Sequence, residues 1–198
     1  MINEQLRLKV KWALEPFVNG LTYQVKKTDN MTAKQLRDAA QAHEKKWGNF
    51  MNGQTDNGNW TTVLGEHMVR DILILKGENP RRPKEKGGYS PDWETDDYIY
   101  EVKTRNWTTS GTAGEKVLGT MYKYSDIPIL YEKPLKIVCV AYQEYELSNG
   151  ATRIFGELSE NKQKFINLAK SMNIEYMKFS DLVKDIDIDS SNCKQSPP

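Results

Sequence analysis

Residues 91–104, PDWETDDYIYEVKT, hold a strand-forming run from Tyr98 to Thr104 behind a proline and an acidic turn. A turn centred on Thr95-Asp96 sets Glu94 opposite Asp97, Trp93 opposite Tyr98 and Asp92 opposite Ile99. Side chains alternate faces along a strand. Asp97, Ile99, Glu101 and Lys103 therefore share one face, and Tyr98, Tyr100, Val102 and Thr104 share the other, which its apolar content marks as the core side. Asp92 belongs with the first group, as the diagonal neighbour of Glu101 at roughly 7–8 Å. Charges in a run that reads as buried need partners or a use, because an isolated buried charge costs several kcal/mol or more.

Two carboxylates at that spacing can share one divalent cation, with oxygens at about 2.0–2.1 Å for magnesium and waters or phosphate oxygens completing the octahedron. Lys103, one pleat beyond Glu101, points to the same place. Such a group can hold a phosphodiester, deprotonate a water and offset transition-state charge. A cross-strand ion pair on a surface hairpin, worth about 0.2–1 kcal/mol, is the competing reading of the same residues.

Outward from the hairpin, Leu64, Met68, Ile72 and Leu75 recur at helical spacing over 61–76, with Asn59 as N-cap and Gly77 as stop. Two helices precede this one. Residues 2–17 are amphipathic (Leu6, Val10, Trp12, Ala13, Leu14) and end near Pro16, and 33–47 are polar on most of their surface, predicting a helix outside the core. The Gly- and Asn-rich 48–59 read as a loop, a spacer or a base reader through Gln54, Asn57 or Asn59. After the hairpin, Thr112-Ala113-Gly114-Glu115 matches a capping box. It opens a helix that buries Val117, Leu118, Met121 and Tyr124. A central strand at 135–142, a possible edge strand at 152–156, a helix at 159–172 and the strand IEYMKF follow, with a flexible tail over 187–198. This order predicts a single α/β domain, 1–198, with a helical N-terminal segment (1–50) and a central mixed sheet flanked by helices on both faces.

With 198 residues and 38% hydrophobic content the chain can build one core. It has no apolar run of membrane-spanning length and no signal-like N-terminus, so a cytoplasmic location is expected. Cys139 in an apolar strand and Cys193 in a polar tail fit neither a disulfide framework nor a zinc site. His43 and His67 are too few and wrongly spaced for histidine-based chemistry.

Pro91-Asp92, eight intervening residues and then Glu101-Val102-Lys103 resembles the PD-(D/E)XK nuclease motif. The helix before the hairpin and the helix and strand after it fit that superfamily's core, so the likeness covers about 60–142, a restriction-endonuclease-like catalytic core. By this resemblance Asp92 and Glu101 bind Mg²⁺ and Lys103 positions the attacking water, while Glu66, off the apolar stripe of its helix, is a further metal ligand or else a solvated glutamate. Size and layout are most similar to a type II restriction endonuclease. That implies a homodimer reading a palindrome in double-stranded DNA, with a companion DNA methyltransferase in function and no membrane partner. A repair or junction-resolving nuclease of the same fold, and a non-catalytic nucleic-acid-binding protein, are the alternatives.

The flanking residues suit phosphate. Lys116, Thr120 and Lys123 lie at i, i+4 and i+7 opposite the apolar side of their helix, a DNA-facing row or a solvated face. Arg105, Asn106 and Trp107 are candidates to reach bases or the sugar-phosphate edge. The segment KGENPRRPKEK, residues 76–86, holds five basic residues against two acids, so Arg81 and Arg82, with Lys84 and Lys86, track a DNA backbone or form a charged loop. The N-terminal helices have no other role legible in the sequence and are the candidates for a dimer interface or a clamp on DNA.

Overall fold

Parallel strands cannot be joined by a tight turn, so the chain after residue 99 must cross over through helices. The computed structural model describes residues 2–19, 28, 30–53, 60–108, 113–184 and 186. In chain order the elements are α1 (Ile2–Asn19), α2 (Ala33–Asn52), α3 (Trp60–Leu75), β1 (Trp93–Glu94), β2 (Ile99–Arg105), α4 (Ala113–Lys123) and α5 (Ile127–Tyr131). Then follow β3 (Leu135–Ala141), α6 (Tyr142–Asn149), α7 (Glu160–Ser171), β4 (Ile174–Lys178) and α8 (Phe179–Val183). The strands form one sheet in the order β1-β2-β3-β4, with β1 antiparallel to β2 and the other pairs parallel. The class is α/β with a mixed sheet flanked by helices. No described helix is long and apolar enough to cross a membrane.

Both sheet faces are buried. Tyr100, Val102, Val138 and Val140 enter a core with Val10, Ala13 and Phe17 of α1 and Leu64, Met68 and Ile72 of α3. Ile99, Leu135, Ile137 and Cys139 enter a second core with Val117 and Met121 of α4, Ile127 of α5 and Ala169 of α7. Helices cover both faces of the sheet as expected, so the Ile99 face of the hairpin, and not the Tyr100 face alone, is a core side. Glu101 shares the Ile99 face and is consequently buried.

The hairpin register also differs from the expected one. Trp93 pairs with Tyr100 and Glu94 with Ile99, because Thr95 closes a wider turn, donating its N–H to Tyr98 O at 2.9 Å and accepting the Tyr98 N–H at 3.2 Å. The slip is two residues, so every side chain keeps its face.

The N-terminal helices have employment in the fold itself. Helix α1 runs past Pro16 to Asn19, because Phe17 extends the buried stripe of Val10 and Ala13, and Lys9 reaches the fully buried Asp71 of α3 at 2.9 Å. Helix α2 starts at a capping box, Thr32 with Gln35, and its last turns bury Glu44, Gly48, Asn49 and Met51. Residues 48–52 are therefore helix rather than loop, closed by left-handed Gly53 at φ 64°. Asn59, Thr112, Gln54, Asn57, Cys193 and the tail fall outside the described residues. Gly77 stops α3 as predicted, at φ 82°, with Gly77 N and Glu78 N donating to Ile74 O and Leu73 O at 3.0 Å each. Residues 152–156 are not a strand, since the N–H groups of Ile154 and Phe155 donate to Leu147 O at the end of α6.

Helix α3 lies unusually close to β2 at Gly65. A Cβ built there would overlap the Thr104 hydroxyl and meet the Thr104 Cβ at 2.8 Å, a part that cannot rotate away. Gly65→Ala should cost about 1–3 kcal/mol through overpacking, although Ala in a helix interior otherwise gains about 1 kcal/mol over Gly. Thermal unfolding decides by sign: a raised melting temperature would show that α3 does not need this approach.

Candidate active site

Strand β1 pairs with β2 only at Trp93 and Glu94, leaving the rest of that β2 edge without a strand. Asp92 supplies the missing partner, its Oδ2 accepting the Val102 N–H at 2.7 Å while its own N–H donates to Tyr100 O at 3.1 Å. The observed register, continued by one residue, sets Asp92 directly opposite Glu101 instead of diagonal to it. The two carboxyls are therefore neighbours across the uncovered edge.

On the second-core face, Lys103 Nζ donates to Glu101 Oε1, and the same ammonium lies 5.7 Å from the centre of the Tyr124 ring. The Glu101 side chain is 5% exposed, and its Oε2 has no well-formed hydrogen bond. A buried carboxylate oxygen left in this state is costly unless a ligand takes it. Burial, then the negative charge of Glu101 and a hydrogen bond to its side chain, push the Tyr124 hydroxyl above its ordinary range.

Helix α3 approaches the same edge from the first-core side. The Trp93 indole N–H donates to Glu66 O at 2.9 Å, tying the helix to the hairpin. Arg82 then bridges the two elements: one guanidinium nitrogen lies 2.5 Å from Glu66 Oε2, and another donates to Asp92 O at 2.9 Å and sits 3.7 Å from Asp92 Oδ1. Its carbon stacks 4.2 Å from the centre of the Trp93 ring. Among the described residues, no group of three or more His, Cys, Asp and Glu side chains closes on one point as a metal cage. The carboxylates of Asp92 and Glu101 are hard oxygen donors of the type Mg²⁺ takes, an ion that needs only one or two carboxylates plus waters and phosphate. Glu66 is held by Arg82.

The Asp92 carboxyl is raised to about 7, by burial first and by the charge of Glu101 second, against the opposing Val102 N–H and Lys103. The folded state thus holds this proton more tightly than the unfolded chain, so the group stabilises the fold at low pH and loses that contribution as pH climbs from about 4 through 7. In chelator, the melting temperature should fall over pH 5 to 8 by more in the wild type than in Asp92→Asn. Parallel profiles from fluorimetry would mean that Asp92 is well solvated.

The other expected contacts are scattered. Arg105 does not face solvent: it is 6% exposed, pairs with Glu146 at 2.5 Å and lies over the Tyr142 ring, because Arg105 shares the covered Ile99 face. Asn106 is half-buried, and Trp107 packs its ring against Tyr142 and Tyr145. Arg81 is engaged by Glu94 and Asp96. Lys86 donates to Leu130 O, and Lys84 is exposed. Lys116 and Lys123 are exposed on α4, but Thr120 between them is buried, since it stands three residues after Val117 and four before Tyr124 on the apolar stripe.

Sequence reasoning missed Tyr124 as the floor beneath Lys103, Arg82 as the bridge between two carboxylates, and Glu44. The fully buried Glu44 accepts the N–H groups of Trp107 and Thr108 at 2.7 and 3.0 Å and the Thr108 hydroxyl, so α2 holds the segment leaving β2. Burial pushes its carboxyl up against these lowering hydrogen bonds. Nothing in AHEKKW sets it apart from a solvated helix glutamate, whereas a tryptophan beside Asp92 was a usable sign of a packed hairpin edge. Comparison with protein-family models, curated proteins and solved structures gives no match in any of the three.

Proposed function

We propose that the protein is a Mg²⁺-dependent endonuclease of the PD-(D/E)XK kind that hydrolyses phosphodiester bonds of double-stranded DNA, in the manner of a type II restriction endonuclease. The observation that carries this reading is the meeting of Asp92, Glu101 and Lys103 at one uncovered strand edge, with a buried Glu101 oxygen that makes no well-formed hydrogen bond. Asp92 and Glu101 would hold the ion. A bound Mg²⁺ supplies Lewis acidity toward a phosphoryl oxygen and makes a nucleophile of water at neutral pH. Lys103, fixed between Glu101 and the Tyr124 ring, presents an ammonium that orients water and offsets negative charge as it develops. Glu66 enters from α3 as a further carboxylate at the same edge.

The reading is tested by incubating a sequenced plasmid with the protein and MgCl₂ and mapping the ends. Discrete fragments are expected. Cutting confined to branched or damaged duplexes would move the protein to the repair and junction-resolving nucleases, and a mobility shift with intact DNA would leave a binding protein. A homodimer acting on a palindrome belongs to the proposal; α1 and α2 each bury one face in the chain's own fold, and the exposed face of α2 is left for a second copy or for DNA. Light scattering of the protein on a cleaved duplex checks it: a monomer that nicks one strand per encounter would remove the dimer.

A further inference from the structure

The candidate site carries three carboxylates, Asp92, Glu101 and Glu66, and two cations, which are not placed alike. Lys103 pairs with Glu101 beneath the edge, whereas Arg82 lies across Glu66 and Asp92 with its side chain 53% exposed. We propose that Arg82 is an intramolecular counter-cation of this site, a positioning residue that clamps Glu66 and Asp92 together until a divalent ion displaces it. The inference rests on the metal-site reading above and goes beyond a role for Arg82 on the DNA backbone.

Three features carry it. The guanidinium makes one short contact to Glu66 Oε2 at 2.5 Å and a longer one to Asp92 Oδ1 at 3.7 Å, so both carboxylates meet one positive group. Its exposure lets it leave at little cost, since no buried cation is stranded by the move. Trp93, whose ring it covers at 4.2 Å and whose indole N–H holds Glu66 O, is positioned to register the departure. A divalent ion entering between Asp92 and Glu101 would meet Arg82 as a competing charge a few ångströms away.

The test uses the full chain without DNA. Ca²⁺ is titrated by calorimetry and by tryptophan fluorescence into the wild type, Arg82→Gln, Arg82→Lys, Trp93→Phe and Asp92→Asn. Arg82→Gln should bind Ca²⁺ about tenfold more tightly than the wild type, with Arg82→Lys between them. The fluorescence change of the wild type should vanish in both Arg82→Gln and Trp93→Phe. Equal or weaker binding by Arg82→Gln, with binding still abolished by Asp92→Asn, would overturn the counter-cation and leave the metal site standing. Absence of binding in every variant, or binding indifferent to Asp92→Asn, would overturn both. If Arg82→Gln misfolds, the intermediate affinity expected of Arg82→Lys still decides.

Discussion

Asp92→Asn is expected to lower cleavage by on the order of a thousandfold while raising the melting temperature of the protein in chelator at pH 8. The substitution removes the charge but keeps an acceptor for the Val102 N–H, which Asp92 Oδ2 takes at 2.7 Å. Losing an anionic ligand to the ion removes several kcal/mol of transition-state stabilisation, hence the rate. The gain in stability has a separate cause: burial and the neighbouring Glu101 hold the Asp92 carboxyl up at about 7, so ionisation at pH 8 opposes folding. Relief of that opposition is worth on the order of 1–4 kcal/mol. A structural aspartate would show the reverse pattern, lost stability with cleavage retained. Cleavage by Asp92→Asn, or by Glu101→Ala, above a tenth of the wild-type rate would remove the metal assignment.

Lys103→Ala should be equally inactive but less stable, and the contrast separates the two partners of Glu101. Without Lys103 Nζ, the buried Glu101 carboxyl loses the donor at Oε1, and its Oε2 already has no well-formed hydrogen bond. Removing one partner of a buried ion pair costs about 3–5 kcal/mol. The double change Lys103→Ala with Glu101→Gln should recover the melting temperature and none of the activity. Lys103→Arg should retain the fold and lose nearly all turnover, because a planar guanidinium cannot take the place of a compact ammonium between Glu101 and the Tyr124 ring. Near-normal turnover in Lys103→Arg would make Lys103 a structural residue.

What was legible in the chain was local. The stripe of Leu64, Met68 and Ile72 with Gly77 behind it declares α3 and its end, and the apolar run at 135–141 declares β3. Short elements were not legible. Helix α5 has five residues and α8 five, too few to establish a period, and α6 begins where β3 ends, its polar Tyr142–Asn149 carrying little apolar signal. The turn at Thr95 is wider than strand alternation predicts because its closure uses the Thr95 side chain, which no strand pattern encodes.

The sequence by itself determined that Asp92, Glu101 and Lys103 lie on one face of the hairpin, because side-chain alternation survives a slip of two residues. The alternation of strands and helices also called for a mixed sheet with helices on both faces, which the fold has. Only the tertiary structure decided that this face is buried, that β1 stops after Glu94 so that Asp92 itself must serve the Val102 N–H, and that Arg82 rather than solvent stands between Asp92 and Glu66. The physical reason is range. Alternation and helical periodicity are properties of the covalent chain over a few residues, whereas burial and charge pairing depend on which distant segments are packed together, as α3, β2 and the 81–82 loop are here.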